Sequence, residues 1–452
     1  GAVALSGWAL SDTGIDRVEI WRDVVPGETT PPYDGSGPGR GKIFVRTAPL
    51  IDGARPDIEA QFAGNAQAAR AGWGAQVMTR GLSSRGDGAY TFYAIAYDTS
   101  GRSTMLGTTT FSVDNAHATQ PFGDLDAPTD GATVSGVIEV TGWALTPGAG
   151  CSIAGGSVWM GADARPLVPV LYGQPRSDIA TAFPGFTNSG LAGGTATLDT
   201  TTLGDGTHQI SWSMTDTCGR QTWIGSRFVT VRNASAALTT VSSTAWIAPP
   251  SLSLASVNRD PISVQVGTDA RRLAYPNAAG LRIVEARPGD YIAVQLPAIS
   301  GAVYSGLQAA NGVWRALPLG STLETAAGRF TWDPAAGFLG SYELVFIATT
   351  GDGASQTVRV RVIVGPSVRL QIDQSAPADG AAQPFALTGW AIDLVAADGT
   401  GVSAVQVWAT PVDGGAPLRL ATAATVESRP EVAAIYGSQF AAAGFRTLIN
   451  QL

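Results

Sequence analysis

The 452-residue sequence predicts an all-β protein: antiparallel β-sandwich domains in tandem, with short helices in the loops. Three observations carry that expectation. Short runs of alternating apolar and polar residues recur along the chain, as half-buried antiparallel strands require. Glycine (56) and proline (27) are abundant while charged residues make up 14%, which suits short strands joined by tight turns. One unit, marked by Gly-Trp-Ala, occurs three times.

The first copy begins AVALSGWALSDTGIDRVEIW (Ala2–Trp21), the second GVIEVTGWALTPGAGCSIAGGSVWM (Gly136–Met160), the third FALTGWAIDLVAADGTGVSAVQVWA (Phe385–Ala409). Each reads as a strand, a turn, and a second strand with tryptophan at or near its end: Trp21, Trp159 and Trp408. A second signature follows, ARPDIEAQF (Ala54–Phe62), PRSDIATAF (Pro175–Phe183) and SRPEVAAIY (Ser428–Tyr436). It predicts one short helix, with Pro56 and Pro430 in the first turn and Asp57, Asp178 and Glu431 near its positive end. Gly72, Gly190 and Gly444 come next, each followed by an apolar residue expected to open a strand. Copies one and two also share Asp-Thr-x-Gly-Arg, a turn in which Asp98 and Asp216 can bond the backbone.

This register predicts repeat copies over 1–115, 116–232 and 367–452, and a distinct β-sandwich over 233–366 that opens with a proline-bearing linker. Gly1 aligns with Gly136, so copy one is expected to lack its first strand and copy three its C-terminal strands. Trp8, Trp143 and Trp390 occupy one register and are expected to fill the sandwich cores. Trp73, Trp223 and Trp314 are not repeated and are more open to surface binding.

RAGWGAQVMT, VDNAHATQPFGDLDAPTDGATVSG, GWALTP, RSDIATAFPGF, LDTTTL and GSRFVTV, with the helix signature, resemble the Ig-like domain arrays of large secreted or surface bacterial proteins. GRFTWDPAAGFLGSYELVF (Gly328–Phe346) resembles a bacterial Ig-like module. The resemblance implies Ig-like sandwiches in exported, surface-associated proteins, and carries across no catalytic or binding residue.

The residues offer little chemistry. Only His117 and His208 are present, with no nucleophile elbow, paired-histidine zinc motif or phosphate loop. GSGPGRGK (Gly35–Lys42) lacks Walker spacing and reads as a loop insertion. Cys151 and Cys218 fall in end-turns of the same copy, and copy one has neither; a disulfide is the expectation, two buried free thiols the alternative. No cofactor is expected. Calcium is the alternative weighed, because Asp98, Asp114, Asp124 and Asp126 straddle the first link, without a full ligand pattern. A net charge of −8 without a basic stripe disfavours nucleic acid, and no run is long enough for a membrane helix.

The reading is therefore a non-enzymatic extracellular structural protein: a stalk, fibre or adhesin shaft on the bacterial surface. Its partners would be other copies of itself or further domains of the same protein. The alternative is a glycan-binding accessory region of a large secreted enzyme.

Overall fold

The computed structural model describes residues 2–147, 150–160, 168–203, 205–233, 256–267, 269–365, 368–374, 384–393, 399–409, 418–436 and 438–450. Most of the expected linker and the turn after the third Gly-Trp-Ala lie outside the described residues. The protein is all-β, with antiparallel pairing predominating. It divides into two compact units, Gly1–Gly365 and Pro366–Leu452.

The first unit holds three sandwiches. In the first, the sheet Ala2–Trp8, Gly72–Met78 and Leu50–Ile51 faces the sheet Ile43–Ala48, Ile15–Arg22, Gly88–Asp98 and Ser103–Val113. Alternation decides the faces: Val18 and Ile20 point into the core with Leu5, Trp73, Val77 and Phe92. In the second, Leu171–Gln174, Gly193–Asp199, Val137–Leu145 and Phe122–Ala127 form one sheet. The other runs Val168–Pro169, Ile153–Met160, Gly206–Asp216, Gln221–Val231 and Thr133–Val134. Val140, Val158, Ile210, Trp212 and Val229 fill the space between them. Burying side chains of this size contributes roughly 1.5–3 kcal/mol each.

The third sandwich spans Ser256–Val364. Its core centres on Trp332, fully buried and edge-on to Phe338 and Tyr342 at 5.4 and 4.9 Å. Ser355–Val364 is flanked by Gly340–Thr349 antiparallel and Leu281–Ala286 parallel.

In the second unit, Val368–Gln374, Phe385–Asp393 and Gly444–Ile449 form one sheet and Val405–Ala409 with Leu418–Ala423 a hairpin. Leu387, Val405, Phe445 and Ile449 pack between them.

The helix signature folds as expected, into α1 (Pro56–Gln61), α2 (Ser177–Ala182) and α3 (Pro430–Tyr436). Pro56 and Pro430 head α1 and α3, where the missing N–H needs no partner. The strand after α2 differs from expectation. Gly190 lies in a 3₁₀ turn, Ser189–Leu191, and Gly193 opens the strand, opposite Trp143.

Gly-Trp-Ala has a packing cause. Successive strand residues face opposite sides, and here the glycine takes the core side. A Cβ on Gly7 would sit 2.5 Å from the Trp73 ring; on Gly142, 2.9 Å from Trp212; on Gly389, 2.7 Å from Phe445. Trp8, Trp143 and Trp390 therefore face away from the sandwich interior, towards the helix side.

Candidate functional site

The repeated tryptophans do not fill the sandwich cores. Trp143 is buried, but among Phe122, Leu145, Ile179 and Ala192 beneath α2. Trp390 is half-buried against Ile392, Val432, Phe440 and Ala443 beneath α3. Trp8 is 39% exposed and touches Phe62, centroids 5.7 Å apart. The inter-sheet aromatics are Trp73, Trp212 and Phe445 instead, so Trp73 is a core residue and not a surface binder.

A second set of rings lies on the outer face of the hairpin sheet. Trp159 meets Trp223 at 5.3 Å, with Trp223 47% exposed. Trp21 meets Phe44 and Tyr33 at 5.3 and 5.4 Å, and both partners are exposed. Trp408 is exposed in the second unit. Trp314 is half-buried. The loop containing Gly35–Lys42 closes over this face: Lys42 stacks on Tyr93 at 3.4 Å and pairs with Asp23.

The Asp-Thr-x-Gly-Arg turns form the ends of two sandwiches. Asp98 accepts bonds from Ser100 Oγ and N and from Arg102 N and Nε. These donors, the Ser100 hydroxyl first, hold its carboxyl well below the usual range. Asp216 accepts from Cys218 N, Arg220 N and Nε, and Thr146 Oγ1. Burial pushes Asp216 up, but the Arg220 and Thr146 donors outweigh it and the net direction is down. Cys218 of this turn is bonded to Cys151, Cα atoms 5.8 Å apart. Thr217 N also donates to Ser152 O, and in copy one Thr99 N donates to Gly14 O. The disulfide thus reinforces a contact that copy one makes without it.

Each repeated arginine grips the acid two residues on. Arg176 binds Asp178 through Nε and Nη2 at 2.9 and 2.7 Å, and Asp126 through Nη1 at 2.5 Å. That fork draws Asp178 down to about 2. Arg429 binds Glu431 and Asp373. Arg55 binds Asp57 at 2.8 and 2.6 Å and, among the described residues, no second acid.

The sandwiches of the first unit are fastened by residues that the repeat pattern conceals. Glu59 of α1 forms a bidentate pair with Arg315 of the third sandwich; both side chains are about nine-tenths buried (exposures 11% and 9%). Ala54 O accepts bonds from Tyr342 Oη at 2.7 Å and Leu339 N at 3.0 Å. Ile51 and Ala54 belong to the third sandwich's core. Gly74 lies so close to Ala336 O that a Cβ would stand 1.8 Å from it. The second sandwich joins through Phe228, packed on that same core, and through Met78, packed on the Trp143 cluster. Arg80 stacks over Phe122 at 5.0 Å and donates to Asn115 O and Ala118 O. The signal for Glu59 is in the sequence: where copy one has Glu59, the helix signature has Ala180 and Ala433.

The aspartates weighed for calcium are engaged separately. Asp98 pairs with Arg102, Asp114 with His117, Asp124 with Arg227 and Asp126 with Arg176. Among the described residues no three His, Cys, Asp or Glu side chains form a group able to hold a metal. No helix among them is long and apolar enough to cross a membrane.

No family model matches the chain, and no curated protein does. Among solved structures it is similar to the tetra-tandem repeat in the extending region of a large adhesion protein. That match has 14% identity, 98% coverage of this chain, 86% of the other, and a TM-score of 0.17. It is similar to fibronectin(III)-like modules of Clostridium thermocellum (15% identity, 52% and 86% coverage, TM-score 0.18). It is also similar to the insect immune protein hemolin (11% identity, 80% and 71% coverage, TM-score 0.19). At these TM-scores none of them assigns a family or a function.

Proposed function

We propose that this chain is a non-catalytic, load-bearing segment of an extracellular bacterial surface protein, of the stalk, fibre or adhesin-shaft kind. The observation that supports this reading is the fastening of one sandwich to another. A bidentate ion pair, two bonds to Ala54 O and a shared apolar core join the first sandwich to the third. Domains on loose linkers move independently unless their interface is substantial. Contacts of this kind resist such motion and transmit force. The cross-linked middle sandwich adds a mechanical stop within the same unit.

Single-molecule stretching of the full chain tests the reading. The first and third sandwiches should yield together, at forces typical of shearing β-sandwiches. Independent low-force unfolding of each sandwich would count against a load-bearing role.

The exposed Trp223 beside Trp159, and the exposed Phe44 and Tyr33 beside the buried Trp21, favour a second reading, sugar stacking in an accessory region of a secreted enzyme. A glycan array would separate the two; silence across plant, fungal and bacterial polysaccharides would remove the second.

A further inference from the structure

Where the three sandwiches of the first unit meet, they leave a cavity of about 660 Å³. The first sandwich lines it with Arg46 and Gln76, the second with Asp130, Trp223 and Arg227, the third with Ala336. That volume lies within the roughly 300–1,000 Å³ of small-molecule sites.

Only half of its charges are paired. Arg227 binds Asp124 at 3.0 Å and Leu125 O at 2.6 Å. Among the described residues, Arg46 donates to a main-chain carbonyl alone, Gln76 O at 2.6 Å, and its Nε is buried without an acceptor. Asp130 accepts from a main-chain group, Phe228 N at 2.7 Å. Arg46 and Asp130 feel each other's charge, yet among the described residues neither forms an ion pair. Burial pushes the Asp130 carboxyl up and the Arg46 guanidinium down. A cation and an anion thus face one cavity with bonding capacity unused.

We propose that this cavity binds a short neutral oligosaccharide. The assignment deepens the second reading above and rests on it for the role of Trp223. Arg46, Arg227, Asp124 and Asp130 line the cavity and balance in charge, so it has no net field to draw an ion. A hydroxyl both donates and accepts. Neighbouring hydroxyls of one sugar ring therefore satisfy both sides, one accepting from Arg46 and one donating to Asp130. Trp223, 47% exposed, offers a flat apolar face to the C–H side of the ring. A zwitterionic peptide end would also bridge Arg46 and Asp130, but makes no use of that face.

Isothermal titration of the full chain with cellotetraose, xylotetraose, laminaritetraose and chitotetraose tests the site, with glycylglycine as the zwitterionic control. At least one tetrasaccharide should bind. Arg46→Gln, Trp223→Ala and Asp130→Asn, which keeps an acceptor for Phe228 N, should each weaken it about tenfold. Gln120→Trp narrows the cavity without removing a charge and should weaken it too, at an unchanged thermal midpoint. Phe44→Ala, on the outer face of the first sandwich, should leave affinity as it was. Binding that is lost with Phe44→Ala and kept in Arg46→Gln and Asp130→Asn would overturn the cavity site and leave the second reading standing. Silence towards all four tetrasaccharides would overturn both, and binding of glycylglycine alone would overturn the saccharide assignment.

Discussion

Glu59 and Arg315 form a bidentate ion pair across 256 residues of sequence, and it joins the first sandwich to the third. Removing one partner leaves the other charge buried and uncompensated. Glu59→Ala and Arg315→Ala are each expected to cost about 3 kcal/mol. The double variant should cost clearly less than the sum, because the second deletion removes the orphaned charge. A double-mutant cycle by calorimetry on the full chain reads the coupling; strict additivity would contradict a direct pair.

Reduction of Cys151–Cys218 should weaken the second sandwich. The bridge closes 67 residues of separation, worth about 4 kcal/mol in the chain-entropy view. Under stretching, reduction should release roughly 230 Å of additional contour at about 3.4 Å per residue. Identical extension with and without reductant would show that this sandwich never unfolds under load.

The tryptophans of the three Gly-Trp-Ala motifs should differ sharply in weight. Trp143→Ala empties a closed aromatic cluster and is expected to cost about 3–5 kcal/mol. Trp8→Ala, at a half-open surface, should cost about 0.5 kcal/mol. Gly142→Ala places a methyl 2.5 Å from Asp124 O and 2.9 Å from Trp212, an overpacking that should cost about 1–3 kcal/mol. Thermal midpoints of the three variants give the order directly.

Acid should loosen both Asp-Thr-x-Gly-Arg corners. Asp98 and Asp216 are held below their ordinary value of 3.8, so each favours the folded state when ionised. That contribution is complete above the ordinary carboxylate range and fades as pH falls through and below it. Thermal midpoints between pH 6 and pH 2 should therefore drop less steeply in Asp98→Asn and Asp216→Asn than in the parent chain, from a lower starting point. Parallel curves would contradict the assignment.

The fold class, the helix signature and the turn aspartates were legible because each rests on local chemistry: alternation, proline at a helix start, a carboxylate capping its own turn. The face taken by the tryptophans was not. Repetition marks Trp8, Trp143 and Trp390 as constrained, but a strand presents two faces, and the glycine beside them decides which one is the core. Gly190 misled because two glycines stand close together before that strand: Gly193 follows Phe183 by the same ten residues as Gly72 follows Phe62, and pairing with Trp143 marks it as the strand's start. The inter-sandwich interface was hidden because it joins unlike domains, leaving as its trace a glutamate where the repeat carries alanine.

Synthesis runs from one end, and the Glu59–Arg315 pair does not respect that direction. At roughly 5–20 residues per second, Arg315 follows Glu59 out of the ribosome by about 10–50 s. During that interval the first sandwich must stand with its helix carboxylate, Ile51 and Ala54 facing water. Its own core must be sufficient to hold it while it waits, and completion of the third sandwich then acts as a late latch on a part made long before.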